Sequence, residues 1–280
     1  MKLKTPFSTR AIAQLLALAF TALGATLFPV QAAMPAAQVF IRVDDAEKMD
    51  PEWKARVCAL LPQPCDKDSL QLHRLRGAAQ TAGFTVLAEK PLAMAEVSRD
   101  ASGAWKLGKL HDFTGYQHSG MPAESDGGAD RTRMSLAPAL YPIGPDRWAA
   151  GVLLTFREMY SGGGAGFTTA DFVPLDEAVS PGQKSFKKPA HAGVAFSCSK
   201  MVRACFSEKD YKTSPHCHDE TTGSLRITYK AGANAADPYR WEYLWRETEW
   251  PAGNPQSAAR TTSNRFNDES GSANWCGGPQ

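Results

Sequence analysis

One segment restricts the fold of this chain more than any other. From Tyr239 to Trp250, one side of an extended backbone carries Tyr239, Trp241, Tyr243 and Trp245, then Glu247 and Glu249; the other carries Arg240, Glu242, Leu244 and Arg246. Alternate residues of a strand point to opposite faces, so this period of two predicts a strand with one buried face. Trp241, Tyr243 and Trp245 could also present a stacking platform for a sugar or peptide ligand, because amphipathic rings suit wet recognition surfaces. Packing against a core is the stronger reading, since Arg240, Glu242 and Arg246 already supply the face toward water.

Shorter runs extend the pattern along the chain. Leu92 to Arg99 and Ala104 to Phe113 read as a hairpin around Asp100 to Gly103, and Arg131 to Ile143 and Trp148 to Tyr160 as another around Gly144 to Arg147. Phe167 to Leu175, Val194 to Ser197, Val202 to Phe206 and Leu225 to Lys230 add further strands. Near the start, Val39, Ile41 and Val43 alternate with Phe40, Arg42 and Asp44. Two helices are expected beside this strand. Asp50 followed by Pro51 suits a helix start, with Trp53, Val57, Leu60 and Leu61 on one face. Asp68 suits a second, with Leu72, Leu75, Ala79 and Ala82 as its stripe and Gly83 as its stop. The expected class is therefore mainly β, α+β at the N-terminus. The candidate architectures are an antiparallel sandwich, an open barrel or a propeller-like sheet array with two N-terminal helices. The absence of a clean repeat counts against a full propeller.

Met1 to Ala33 reads as a signal peptide: Lys2, Lys4 and Arg10, an apolar run from Ala11 to Pro29, then small residues in which Val30 and Ala32 fit a cleavage site. This predicts a single periplasmic or secreted domain over 34–280, with a mixed α/β section over 38–90, a β meander over 91–175 and a β-rich section over 190–280. No later stretch reaches the roughly 20 apolar residues of a spanning helix, so the chain is not expected to span a membrane. In an oxidising compartment the six cysteines read as disulfides. Local spacing favours Cys58 with Cys65, Cys198 with Cys205, and Cys217 with Cys276. The rival set joins Cys205 to Cys217 and Cys198 to Cys276.

Charge narrows the partners. Removing Lys2, Lys4 and Arg10 leaves 28 basic residues against 29 acidic ones, and no basic run remains of the kind that binds phosphate backbones, so nucleic acid is not expected. The segment His216, Cys217, His218, Asp219 and Glu220 holds the best local chemistry. If it is extended, His216 and His218 share a side and could take zinc or copper, with Asp219 or a distant residue completing the set. A polar loop stapled by Cys217, with solvated histidines, is the plainer reading. Glu124, Asp126 and Asp130 offer oxygens to calcium but lack an EF-hand register. Ser119 is a conceivable nucleophile with no base or acid identified beside it, and neither a Gly-x-Ser-x-Gly elbow nor a His-Glu-x-x-His motif occurs. Two functions follow as expectations. One is a non-enzymatic protein that binds a protein or cell-envelope component, such as an inhibitor or immunity-type factor. The other is a metal-dependent periplasmic enzyme or metal-handling protein built on His216 and His218.

Overall fold

The computed structural model describes residues 35–79, 83–120, 131–175, 186, 188–232, 234, 238–266 and 276. The signal-peptide segment and Glu124, Asp126 and Asp130 lie outside them. Among the described residues the protein is one sheet of twelve strands, every neighbouring pair antiparallel. The first five strands are β1 (Gln38–Arg42), β2 (Gln71–Leu75), β3 (Phe84–Glu89), β4 (Leu92–Arg99) and β5 (Trp105–Asp112). The chain then returns to the free side of β1 with β6 (Thr132–Gly144). It continues outward through β7 (Arg147–Tyr160), β8 (Gly163–Pro174), β9 (His191–Arg203), β10 (His218–Lys230), β11 (Arg240–Trp250) and β12 (Arg260–Phe266). β5 and β12 are the two edges, so the sheet is neither a sandwich of separate sheets nor a closed barrel.

Among the described residues three short α-helices accompany the sheet: α1 (Ala46–Met49), α2 (Trp53–Cys58) and α3 (Glu208–Thr213). The first expected helix is present, and Trp53, Val57 and Leu61 are buried as its stripe requires. It starts two residues later than expected, at Trp53 with Glu52 at the N-cap, so Asp50 stands before the helix and braces it from outside. Its carboxylate accepts from the Glu52 amide at 3.0 Å and from Trp105 Nε1 at 2.8 Å, which ties the helix to β5. The second expected helix is wrong: Gln71–Leu75 is a strand between β1 and β3, and Leu72 and His73 are both buried because the strand is covered on both faces. Ladder bonds on both sides and burial of consecutive residues outweigh the helical spacing of Leu72 and Leu75. Ala82 lies outside the described residues.

The sheet bends enough to make several cores. α1 and α2 close one over Val86, Ala88, Ala95 and Val97 of β3 and β4. The other face of the same strands, through Leu87, Leu92 and Met94, packs on Leu136, Val152 and Val173 of β6 to β8. Farther along, Trp241 and Tyr243 of β11 fold back onto Tyr141 and Phe172. Trp241 Nε1 donates to the Pro142 carbonyl at 2.9 Å, and the Tyr239 amide donates to Ile143 at 3.0 Å.

The disulfides correct the expected pairing. Cys58 joins Cys65 as expected, but Cys198 joins Cys276 and Cys205 joins Cys217, which is the rival set. The reason is register: β9 runs unbroken from His191 to Arg203, so Cys198 lies mid-strand and no turn brings it to Cys205. Gly223, opposite Cys198 on β10, leaves room for this bridge. A Cβ there would come within 2.3 Å of Trp245 and 2.6 Å of Cys198 Sγ. The glycines that open β8 also answer to close approach, since a Cβ on Gly163 would meet the Met201 carbonyl at 1.9 Å. Three disulfides fit an oxidising, non-cytoplasmic compartment. No helix among the described residues is long and apolar enough to cross a membrane.

Candidate metal centre

The segment before β10 is extended because its surroundings leave no alternative. α3 begins with a reciprocal capping box between Ser207 and Asp210 and ends at Ser214, followed by Pro215, which cannot continue a helix. The Cys205–Cys217 bridge and the bond from the Ala204 amide to the Cys217 carbonyl at 2.8 Å then hold the chain beside the end of β9. The His216 carbonyl accepts from Ser214 Oγ at 2.6 Å and from the Gly253 amide at 2.7 Å. With Cys217 turned toward its disulfide, His216, His218 and Glu220 fall on the opposite side by strand alternation.

Donor atoms of His216, His218 and Glu220 all lie within 4.8 Å of one another. The His216 ring stacks on Trp250 at 3.5 Å between centroids and 5° between planes. Its side chain is only 10 % exposed, and Nε2 is buried with no hydrogen-bond partner among the described residues. The nearest carboxylate oxygen, Glu220 Oε1, stands 3.7 Å away, beyond hydrogen-bonding distance. A buried, unpaired imidazole nitrogen costs stability unless something fills its lone pair or accepts its proton. Zinc and copper bind such nitrogens and carboxylates at about 2.0–2.2 Å. Asp219, expected as the third ligand, points the other way and accepts from the Ala252 amide at 2.8 Å. Glu220 takes its place, and the same alternation that pairs His216 with His218 names it. Register adds what sequence spacing does not show: Glu220 lies opposite Met201 on β9 and Trp250 on β11.

The other expected site residues fall elsewhere. Trp241, Tyr243 and Trp245 are 3 %, 2 % and 3 % exposed, so they are core and form no stacking platform at the surface. Trp245 Nε1 donates to Glu247, whose same carboxylate oxygen accepts the Cys276 amide at 2.9 Å and so ties down the disulfide-linked tail. Cys198, Glu247 and Cys276 lie close enough to suggest a second metal set, but both sulfurs are spent in a disulfide.

Ser119 does meet a histidine and an aspartate, in an arrangement that anchors a loop. The buried Asp171 of β8 accepts from Ser119 Oγ at 2.5 Å, the Ser119 amide at 2.7 Å, Tyr116 Oη at 2.9 Å and the Gly193 amide at 2.7 Å. Burial alone would raise the Asp171 carboxyl; the Ser119 and Gly193 bonds, with His118 nearby, outweigh it and hold its pKa below the ordinary value. Burial pushes His118 down, partly offset by Asp171. His118 Nδ1 accepts from the Gly120 amide at 3.0 Å, and Nε2 faces Asp171 at 3.8 Å. A serine nucleophile needs an imidazole to take its proton. Here the serine proton goes to the carboxylate, the Gly120 amide occupies Nδ1, and Nε2 is buried with no hydrogen-bond partner among the described residues.

Comparison with protein-family models, curated proteins and solved structures returned no match to this chain.

Proposed function

We propose that this is a periplasmic or secreted metal-handling protein that binds zinc or copper through His216, His218 and Glu220. The observation that carries the reading is the buried His216 Nε2, stacked in place by Trp250 and lacking a partner among the described residues, beside a second imidazole and a carboxylate. Three protein donors leave a coordination position open, which suits exchange of the metal with another carrier or binding of a water. The disulfide between Cys205 and Cys217 fixes the segment before metal arrives, so little ordering entropy opposes binding. Calorimetric titration of the oxidised protein with zinc and copper tests it. One equivalent is expected to bind, with heat abolished in a His216→Ala, His218→Ala variant and weakened in Glu220→Gln. Identical heats for the wild type and the double variant would remove the proposal.

A second reading is a protein that grips another protein or an envelope component, as an inhibitor or immunity-type factor does. Its support is the exposure of Phe206 (73 %) and Tyr211 (54 %) around α3, large rings left in water. A Phe206→Ser, Tyr211→Ser variant is expected to lose saturable capture of a partner from envelope or secreted fractions. No saturable partner for the wild type would end this reading.

A further inference from the structure

The outer strands carry a second polar cluster, farther along the face that holds the metal centre. β10, β11 and β12 pair without register shifts, so their faces follow directly from residue number. One face holds Leu225, Tyr229, Trp241, Tyr243 and Trp245 and packs inward. The other is exposed and holds Arg226, Lys230, Arg240, Arg246 and Arg265, with Glu242 its one carboxylate away from the metal centre. Lys230 Nζ already donates to Glu242 Oε1, so that acid does not serve the arginines. Arg246 stands directly between Ser224 and Ser263, with Arg226 and Arg265 each one diagonal step away and Leu244 between those two. Diagonal neighbours in a sheet lie about 7–8 Å apart. None of Arg226, Arg246 and Arg265 has an ion-pair or hydrogen-bond partner among the described residues.

Like charges at such spacing weaken a sheet, and a chain near neutrality has acids to place opposite them. Three guanidiniums left together instead form a fork-shaped donor array suited to carboxylates and phosphates. Arg226 and Arg265 border a shallow cavity of about 700 Å³ whose other lining residues are Thr228, Glu242, Tyr243, Leu244 and Phe266. Around them run hydroxyls: Thr222 and Ser224 on β10, Thr248 on β11, and Thr261 and Ser263 on β12. Three strands span about 10 Å between the outer two, and the nine residues from Thr222 to Lys230 about 27 Å. Such a surface is long, flat, hydroxylated and cationic.

We propose that this face of β10 to β12 binds an extended acidic polysaccharide, its carboxylate groups on Arg226, Arg246 and Arg265 and its hydroxyls on the serine and threonine rows. The surroundings favour this occupant over other polyanions. The rings nearest the arginines are already engaged, Tyr243 with Phe266 on the inward side of the cavity and Trp250 with His216, which leaves none for a nucleobase, and Leu244 is the one large aliphatic side chain among them, too little for insertion into a lipid surface. Polygalacturonate oligomers, a polyuronate of known composition, serve as the probe, with dextran as the uncharged control. Calorimetry at about 50 mM salt is expected to show saturable polyuronate binding and none for dextran. An Arg226→Ala, Arg246→Ala, Arg265→Ala variant should bind at least tenfold more weakly. Raising salt to about 200 mM should weaken the wild type more than the variant, because fewer ion pairs remain to screen. Far-UV circular dichroism and the zinc titration of the variant should match the wild type, which shows that fold and metal centre are intact. Undiminished binding by the variant, equal binding of dextran, or tighter binding of duplex DNA or anionic lipid vesicles than of polyuronate would each overturn the proposal.

Discussion

β3 and β4 are buried on both faces, whereas β10 and β11 are buried on one and the edge strand β12 is almost wholly exposed. In β4, Ala93, Ala95 and Val97 face the helices while Leu92 and Met94 face β6 to β8. In β11, Trp241, Tyr243 and Trp245 are buried, but Arg240 and Arg246 between and beside them remain in water. Strands covered twice have little surface left with which to meet a ligand. The strands covered once keep a whole face free, and both the metal centre and the arginine cluster lie there. Coverage therefore sorts the molecule into a part that holds the fold and a part that presents groups outward.

The sharpest way to break this contrast is to change neighbours on β11. Trp245→Ala removes a ring packed against Gly223 and Cys198 and should cost about 3–5 kcal/mol. Arg246→Ala, one residue on, should stay within about 0.5 kcal/mol. Urea unfolding of both variants checks the pair. Similar losses would mean that the outer face is structural after all.

The disulfides sharpen the comparison at a smaller scale. Cys198–Cys276 closes a separation of 78 residues, so its removal as a double serine variant should cost about 2–4 kcal/mol; Cys58–Cys65, separated by 7, should lie near the lower figure. Neither change should touch metal affinity. The Cys205→Ser, Cys217→Ser variant should instead weaken zinc binding about tenfold, because it frees the segment that carries His216 and His218. Denaturant curves and zinc titrations of the three double variants separate these effects.

The same division explains what was legible in the sequence. The alternation from Tyr239 to Trp250 identified β11 and its buried face because side chains there answer to one core and one solvent. Leu92 to Arg99 was equally readable, bounded by Asp100 to Gly103. Gln71–Leu75 was misread as helix because a strand covered twice loses its period of two. β12 went unrecognised: Arg260 to Arg265 are exposed, so no apolar period marks an edge strand held by backbone bonds alone. His216 and His218 were readable from spacing. Trp250, Met201 and the Cys198–Cys276 bridge were not, because cross-strand register depends on distant pairings. The arginine cluster was hidden for the same reason, as Arg226, Arg246 and Arg265 come from three strands.

Acid should act through the histidines whose pKa the fold lowers. Burial, helped by Lys109, lowers the His111 pKa to about 4, and burial also lowers His73. Both are held neutral in the fold but protonate near pH 6.5 when unfolded. The folded value of His111 is depressed, so its contribution is complete above about pH 6.5 and is lost as pH falls toward 4, and the lowered His73 adds a loss of the same sign. Urea midpoints should decline across that window, and His111→Gln should flatten the decline. An unchanged slope would place the acid sensitivity elsewhere.

The smallest expected effect concerns the choice of metal. Met201 is the direct β9 neighbour of Glu220, so their Cβ atoms lie about 5 Å apart on the face that carries His218, and Met201 is 38 % exposed. Thioether sulfur favours copper(I) and adds little for zinc. Met201→Leu keeps the volume and the strand but removes the sulfur. It should weaken copper(I) by up to about tenfold, roughly 1.4 kcal/mol, and leave zinc unchanged. Competition against a copper(I) chelator without thiol reductants, run beside a zinc titration, measures both. Equal weakening of the two metals would trace the effect to a disturbed β9, and unchanged copper(I) affinity would confine the donors to the two imidazoles and the Glu220 carboxylate.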